Sequence, residues 1–279
     1  MKLFINKIDT TIATIACLII GSLFITGCDV EESQVLEERT YQLSWSDEFD
    51  GAAGTSPDPT KWTYDIGRGD NGWGNEELQY YTNRPENVSM DGEGNLVIRA
   101  IRETFAGAPF TSARIKTKGL FDQTYGKFEA RMKLPYGPGM WPAFWMLGSD
   151  IDTNPWPGCG EIDIMELRGN QPNIISGTIH GPGYSARQSL AESYALDNGR
   201  FDTDFHVFAI EWHENLIEFY VDGFLYERLT SEDVDGEWVF DSPFFMLLNV
   251  AVGGTYVGFP TSETIFPQEM VVDYVRVYQ

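Results

Sequence analysis

From residue 41 onward the chain alternates. The stretch GKFEARMKL sets Phe128, Ala130, Met132 and Leu134 on one parity and Lys127, Glu129, Arg131 and Lys133 on the other. That is the period of a strand with one buried and one solvated face. IEFYVDGFLYERL reads as two such runs joined by Asp222-Gly223, a dipeptide that favours a two-residue hairpin because both positions tolerate positive φ. FHVFAIEWH, FFMLLNVAV and MVVDYVRVYQ are further β-rich runs. No segment there keeps a helical period for three turns, and no repeat or low-complexity linker interrupts residues 41–279. The pattern predicts one all-β domain over 41–279, a jelly-roll sandwich of two antiparallel sheets.

The first forty residues follow a different pattern. Lys2 and Lys7 precede an apolar run from Ile12 to Ile25 that closes on Thr26-Gly27-Cys28, which predicts a secretory signal over residues 1–27. Cys28 after FITG resembles the lipobox of bacterial lipoproteins, in which that cysteine becomes the lipidated mature N-terminus. The expectation is export and anchoring at the cell envelope or surface through Cys28. Residues 28–40 are polar and acidic and read as a tether. With Cys17 in the signal and Cys28 lipidated, Cys159 has no partner for an intrachain disulfide. It is read as a small packing residue, and the fold must be held by its core or by a metal.

The formal charge is −23, and removal of residues 1–27, which carry Lys2, Lys7 and Asp9, leaves −24. Such a chain repels nucleic acid and anionic polymers, so a neutral partner is expected.

One apolar run breaks the rule that strands bury apolar faces. GEIDIMELRG, residues 160–169, carries Glu161, Asp163 and Glu166 among Ile162, Ile164, Met165 and Leu167. Burying an unpaired carboxylate costs several kcal/mol, so three on one strand argue for a cleft. Alternate strand residues share a face about 6.6 Å apart, which pairs Glu161 with Asp163 and leaves Glu166 on the wrong side. A β-bulge that absorbs Ile164 or Met165 returns Glu166 to their face. A helix would leave Glu161 and Glu166 about 140° apart. On a bulged strand the two Cα atoms lie about 13 Å apart, and side chains leaning together approach the roughly 5–5.5 Å that a retaining glycosidase uses. Asp163 between them can hydrogen-bond the nucleophile and help set its ionisation. The competing readings of the acidic strand are a Ca²⁺ site and a solvated face.

E-x-D-x-x-E on a bulged strand resembles the signature of glycoside hydrolase family 16, in the spacing of its laminarinase-like branch. GMWPAFWML at 139–147, GWGNEELQYYT at 72–82, GTIHGPGY at 177–184 and the closing FPQEMVVDYVRVYQ also resemble bacterial endo-1,3-β-glucanases, from about Leu43 to Gln279. The resemblance implies a jelly roll with a long concave cleft, retention of configuration, Glu161 as nucleophile, Glu166 as acid/base and Asp163 as helper. Trp141 and Trp145, four apart and so on one strand face, are expected in the cleft, where aromatic rings stack on sugars. The resemblance also places His180 beside the acid/base. Asn75, Glu77 and Arg84 are expected to hydrogen-bond sugar hydroxyls, with Trp73 as a platform. Tyr256 stands in GGTYVG where members often carry Trp, which implies weaker stacking at a distant subsite. A structural Ca²⁺ is implied at Asp273, with Glu48 and Gly94 giving oxygens, an oxygen-only set that suits that ion. The expected partner is a neutral β-glucan, acted on by a monomer. The competing readings are hydrolysis of agar- or carrageenan-like galactans or mixed-linkage glucan, transglycosylation, and a non-catalytic glycan-binding lectin, which would have lost one of the two Glu residues.

Overall fold

The structure, a computed structural model, describes residues 39–279. The signal, Cys28 and all of the tether except residues 39 and 40 lie outside the described residues. Among those described, no helix is long and apolar enough to cross a membrane.

The strands follow in chain order: β1 (Leu43–Asp47), β2 (Thr63–Asp65), β3 (Gln79–Tyr81), β4 (Val88–Met90), β5 (Leu96–Ala100), β6 (Phe110–Ser112), β7 (Arg114–Lys116), β8 (Gly126–Lys133), β9 (Met140–Gly148), β10 (Glu161–Leu167), β11 (Ile174–His180), β12 (Leu190–Ala195), β13 (His206–His213), β14 (Leu216–Val221), β15 (Phe224–Thr230), β16 (Phe244–Val252) and β17 (Gln268–Tyr278). One sheet runs β15-β14-β13-β8-β17-β5-β4, with β1 on β17. The second runs β12-β11-β10-β9-β16-β7-β2, and β3 and β6 form a small parallel pair. Both large sheets are antiparallel throughout, the two-sheet jelly roll that the alternating pattern predicts.

The periodicity translates directly into burial. Phe128, Ala130 and Met132 on β8 are fully buried and pack with Ile162, Ile164, Met165 and Leu167 from β10 in the core between the sheets. Each large apolar side chain so buried contributes about 1.5–3 kcal/mol. The Asp222-Gly223 turn has φ of 51° and 82° between the paired residues Val221 and Phe224, the left-handed conformation that two-residue hairpins need. Every residue of β16 is buried, because one face meets the core and the other is covered from the cleft side. There Leu147, Phe245, Leu247 and Cys159 form a separate apolar cluster. Cys159 packs within it as a free thiol, pushed up to about 11 by burial.

Candidate active site

The acidic strand is bulged. Against β9, Asp163 pairs with Trp145 and Met165 with Phe144, leaving Ile164 as the extra residue. Against β11, Asp163 pairs with Thr178 and Glu166 with Ser176, so Ile164 and Met165 together face Gly177. Both apolar residues enter the core, and Glu161, Asp163 and Glu166 share the opposite face. The bulge has no room for a side chain at Gly177: a Cβ there would lie 2.5 Å from Phe219 Cδ1 and 2.6 Å from the Tyr226 hydroxyl.

Register carries that face across the sheet, since directly paired residues point the same way. One row runs Asp65, Arg114, Asn249, Ala143, Glu166, Ser176. The next runs Thr63, Lys116, Leu247, Trp145, Asp163, Thr178, and Glu161 pairs with His180. Trp141 and Trp145 are therefore both on the carboxylate face, as their spacing predicts.

Each carboxylate has a distinct setting. Trp141 Nε1 donates to Glu166 Oε1 at 2.7 Å. The Ala186 backbone N–H donates to His180 Nδ1 at 3.1 Å, so Nδ1 presents its lone pair and a ring proton is assigned to Nε2. That Nε2 lies 3.1 Å from Asp163 Oδ2 and 3.6 Å from Glu161 Oε1. It does not line up with Oδ2, which is a buried oxygen without an aligned hydrogen-bond partner. Glu161, Asp163 and His180 are the one group among the described residues with three side-chain donors close enough for a metal ion. The tautomer argues against that use, because Nε2 holds a proton where a metal needs a lone pair.

Burial pushes Glu161, Asp163 and Glu166 each up to about 8. For Glu161 the charge of Asp163 adds to this, while His180 and Arg114 oppose it. For Glu166 Asp163 adds and the Trp141 bond opposes.

The cleft walls revise several sequence expectations. Glu77 is 5% exposed and its oxygens are taken by Asn75 Nδ2 (3.1 Å), Gln79 Nε2 (2.6 Å) and the Tyr81 hydroxyl (3.3 Å). It holds Asn75 in place and is not itself placed for a sugar, because a buried carboxylate must satisfy its charge internally. Arg84 is engaged through one guanidinium nitrogen, while its Nε has no partner among the described residues. It donates to Asn87, Glu103 and Thr111 and lies over the Phe105 ring. Trp73 does border the cleft, in a loop where Asn71, Trp73 and Glu76 all have positive φ. One face of its ring is covered by the Arg114 guanidinium at 4.5 Å.

Arg114, Asn249 and Trp156 carried no signal of their own in the sequence, and Tyr256 lies elsewhere than expected. Arg114 also lies over Trp145, at 4.9 Å, and pairs with Asp65. Asn249 Oδ1 accepts from Trp145 Nε1 at 2.8 Å. Trp156, 43% exposed, lies 6.0 Å from the His180 ring. Tyr256 is not distant: its ring is 5.1 Å from Trp141, and its hydroxyl is 3.0 Å from Ser176 Oγ, the residue paired with Glu166.

For the calcium expectation, the Glu48 carboxylate is bound twice by Arg276, at 3.0 and 2.8 Å, and Asp273 Oδ2 by Arg131. The second Asp273 oxygen and the main-chain carbonyls of Glu48 and Gly94 are the oxygens these residues would offer to Ca²⁺, which takes oxygen ligands. Asp273 belongs to the sheet that does not carry the carboxylates.

Residues 73–276 match the family described as Glycosyl hydrolases family 16. A beta-glucanase of Rhodothermus marinus is 43% identical over 266 residues, 91% of either chain. The laminarinase catalytic domain from Thermotoga maritima superposes with a TM-score of 0.81 at 48% identity, over 86% of this chain and 99% of that one. A keratan-sulfate endo-1,4-beta-galactosidase of Sphingobacterium multivorum is 38% identical over 246 residues, 86% of this chain and 55% of that one.

Proposed function

The chain belongs to glycosyl hydrolase family 16, and from that premise we propose that it is an endo-acting hydrolase of β-1,3-glucan that retains anomeric configuration. The observation that carries the reading is the bulge at Ile164, which sets Glu161 and Glu166 on one face with Asp163 between them.

Glu161 attacks the anomeric carbon and forms a glycosyl-enzyme. Glu166 protonates the departing glycosidic oxygen, then takes a proton from the water that releases the sugar. The Trp141 bond makes Oε1 of Glu166 the acceptor oxygen, which leaves Oε2 to carry the proton. Glu161 must be ionised while Glu166 is protonated. Asp163, whose carboxyl is pushed up to about 8 by burial, lies between them on the same face and helps set their ionisation.

Substrate charge follows from the cleft. Of the cations near the carboxylates, Arg114 and Lys116 are both paired with Asp65, and Arg168 lies over the Tyr256 ring at 4.2 Å. The net charge of −23 repels anionic polymers. The half-buried indole rings of Trp141 and Trp145 and the exposed ring of Trp156 suit a neutral glucan. A calcium ion at Asp273, Glu48 and Gly94 would add stability and take no part in hydrolysis. Lipidation of Cys28 would hold the enzyme at the envelope, and Cys28→Ser is expected to move it to the soluble fraction.

Product profiles from laminarin, lichenan, agarose and keratan sulfate test the substrate. The expected order puts laminarin first, with β-configured oligosaccharides as initial products. Faster turnover of a galactan moves the enzyme to that branch, and products longer than any substrate fragment would make it a transglycosylase.

A further inference from the structure

Two segments that border the cleft also enclose a second concavity beside it. Residues 72–78 bring Trp73 and Asn75 to the cleft and end at Leu78. Residues 253–264 lay Tyr256 on Trp141 and continue through Phe259. The segments are stitched together: Thr255 N–H donates to the Asn75 carbonyl at 2.9 Å, and Leu78 N–H to that of Val252 at 2.8 Å. Gly253, at φ 73°, is hemmed in by Leu78 and Phe259, each 3.0 Å from where a Cβ would stand. Gly139, two residues before Trp141, lies under Pro260 with no space for a side chain. Between the segments opens a cavity of about 550 Å³ lined by Leu78, Arg102, Phe259, Thr261, Ser262 and Thr264, among others.

The lining has the chemistry of a sugar site. Phe259 is 49% exposed and offers a ring face. The Arg102 guanidinium lies 5.1 Å from the Phe110 ring and 4.8 Å from the Phe266 ring, and the described residues set no carboxylate against it, so its N–H donors are unspent. Hydroxyls on Thr261 and Ser262 complete a set of donors and acceptors around an aromatic face, the arrangement that suits a polar ligand with apolar C–H faces. The net charge of −23 disfavours an anionic occupant and the Arg102 guanidinium in the lining a cationic one, which leaves an uncharged ligand.

We propose that this cavity is an accessory binding site for a further stretch of the same neutral β-glucan chain, reached from the cleft past Tyr256. The inference rests on the glucanase reading above and extends it: the enzyme favours long chains because residues beyond the reacting subsites find a second platform at Phe259.

The test compares kcat/KM on long laminarin with kcat/KM on a short β-1,3-gluco-oligosaccharide that occupies the cleft alone. Two variants are used, Phe259→Ala, which removes the platform, and Ser262→Trp, which fills the cavity without deleting a core group. Loss of one stacking contact is worth about fivefold, so the long-to-short ratio is expected to fall about fivefold in both variants. A ratio unchanged in both, in an enzyme that cleaves laminarin, overturns the accessory site and leaves the glucanase reading standing. A wild-type enzyme that cleaves neither substrate overturns that reading and the accessory site with it.

Discussion

Trp141 Nε1 donates to Glu166 Oε1 at 2.7 Å, from a neighbouring strand and with the indole ring itself facing the cleft. One side chain thus orients the acid/base and offers a sugar platform. Trp141→Phe keeps a ring and removes the donor. The bond favours the carboxylate form of Glu166, so its loss raises the pKa of that group. The expected result is a fall in kcat of about ten- to a hundredfold and an alkaline limb of the pH–rate profile displaced to higher pH. A change in KM alone, with the limb unmoved, would reduce Trp141 to a platform.

Glu227 gives a stability prediction away from the chemistry. It is 7% exposed, its Oε2 has no hydrogen-bond partner among the described residues, and it stands behind Gly177 on the core side of the bulge. Burial, with the charge of Glu192 added, pushes it up from 4.5 to about 8. A carboxyl whose folded pKa lies above its unfolded one binds its proton more tightly in the native state. Its contribution is intact below about pH 4.5 and is lost as pH rises to about 8. Glu227→Gln should flatten the decline in melting temperature across that window. An identical decline in the variant would show that Glu227 is solvated or paired in solution.

Chelation tests the calcium proposal. A ligand bound only by the native state stabilises by RT ln(1 + [L]/Kd), so removing Ca²⁺ should lower the melting temperature and leave initial rates at moderate temperature unchanged. A melting curve indifferent to chelator removes calcium from the account.

Strand identity, the bulge and the shared face of Trp141 and Trp145 were legible in the sequence because all three are consequences of a period of two within one short segment. Even the bulge residue was narrowed to Ile164 or Met165, and pairing with β9 selects Ile164. What escaped depends on partners that only folding brings to a side chain, whether near or far in the chain. Nothing near Arg84 announces that Glu103 and Thr111 will claim it, and Glu77 looks free until Gln79 and Tyr81 fold over it. Arg114 is a strand-face cation in the sequence, and only pairing with β2 brings Asp65 against it. Tyr256 was assigned to a remote subsite because a loop substitution carries no position, whereas packing on Trp141 puts it beside the acid/base.

The central claim is that Glu161 and Glu166 do different things, and the most direct measurement compares their alanine variants on laminarin and on an aryl β-glucoside whose leaving group needs no proton. Glu166→Ala should lose most activity on laminarin and keep far more of the first step on the aryl substrate, with azide restoring turnover as a β-glycosyl azide. Glu161→Ala should lose several orders of magnitude on both substrates, since no glycosyl-enzyme forms. Equal losses for the two variants on both substrates, or a wild-type product of inverted configuration, would contradict the assignment of the two carboxylates that the bulge at Ile164 brings to one face.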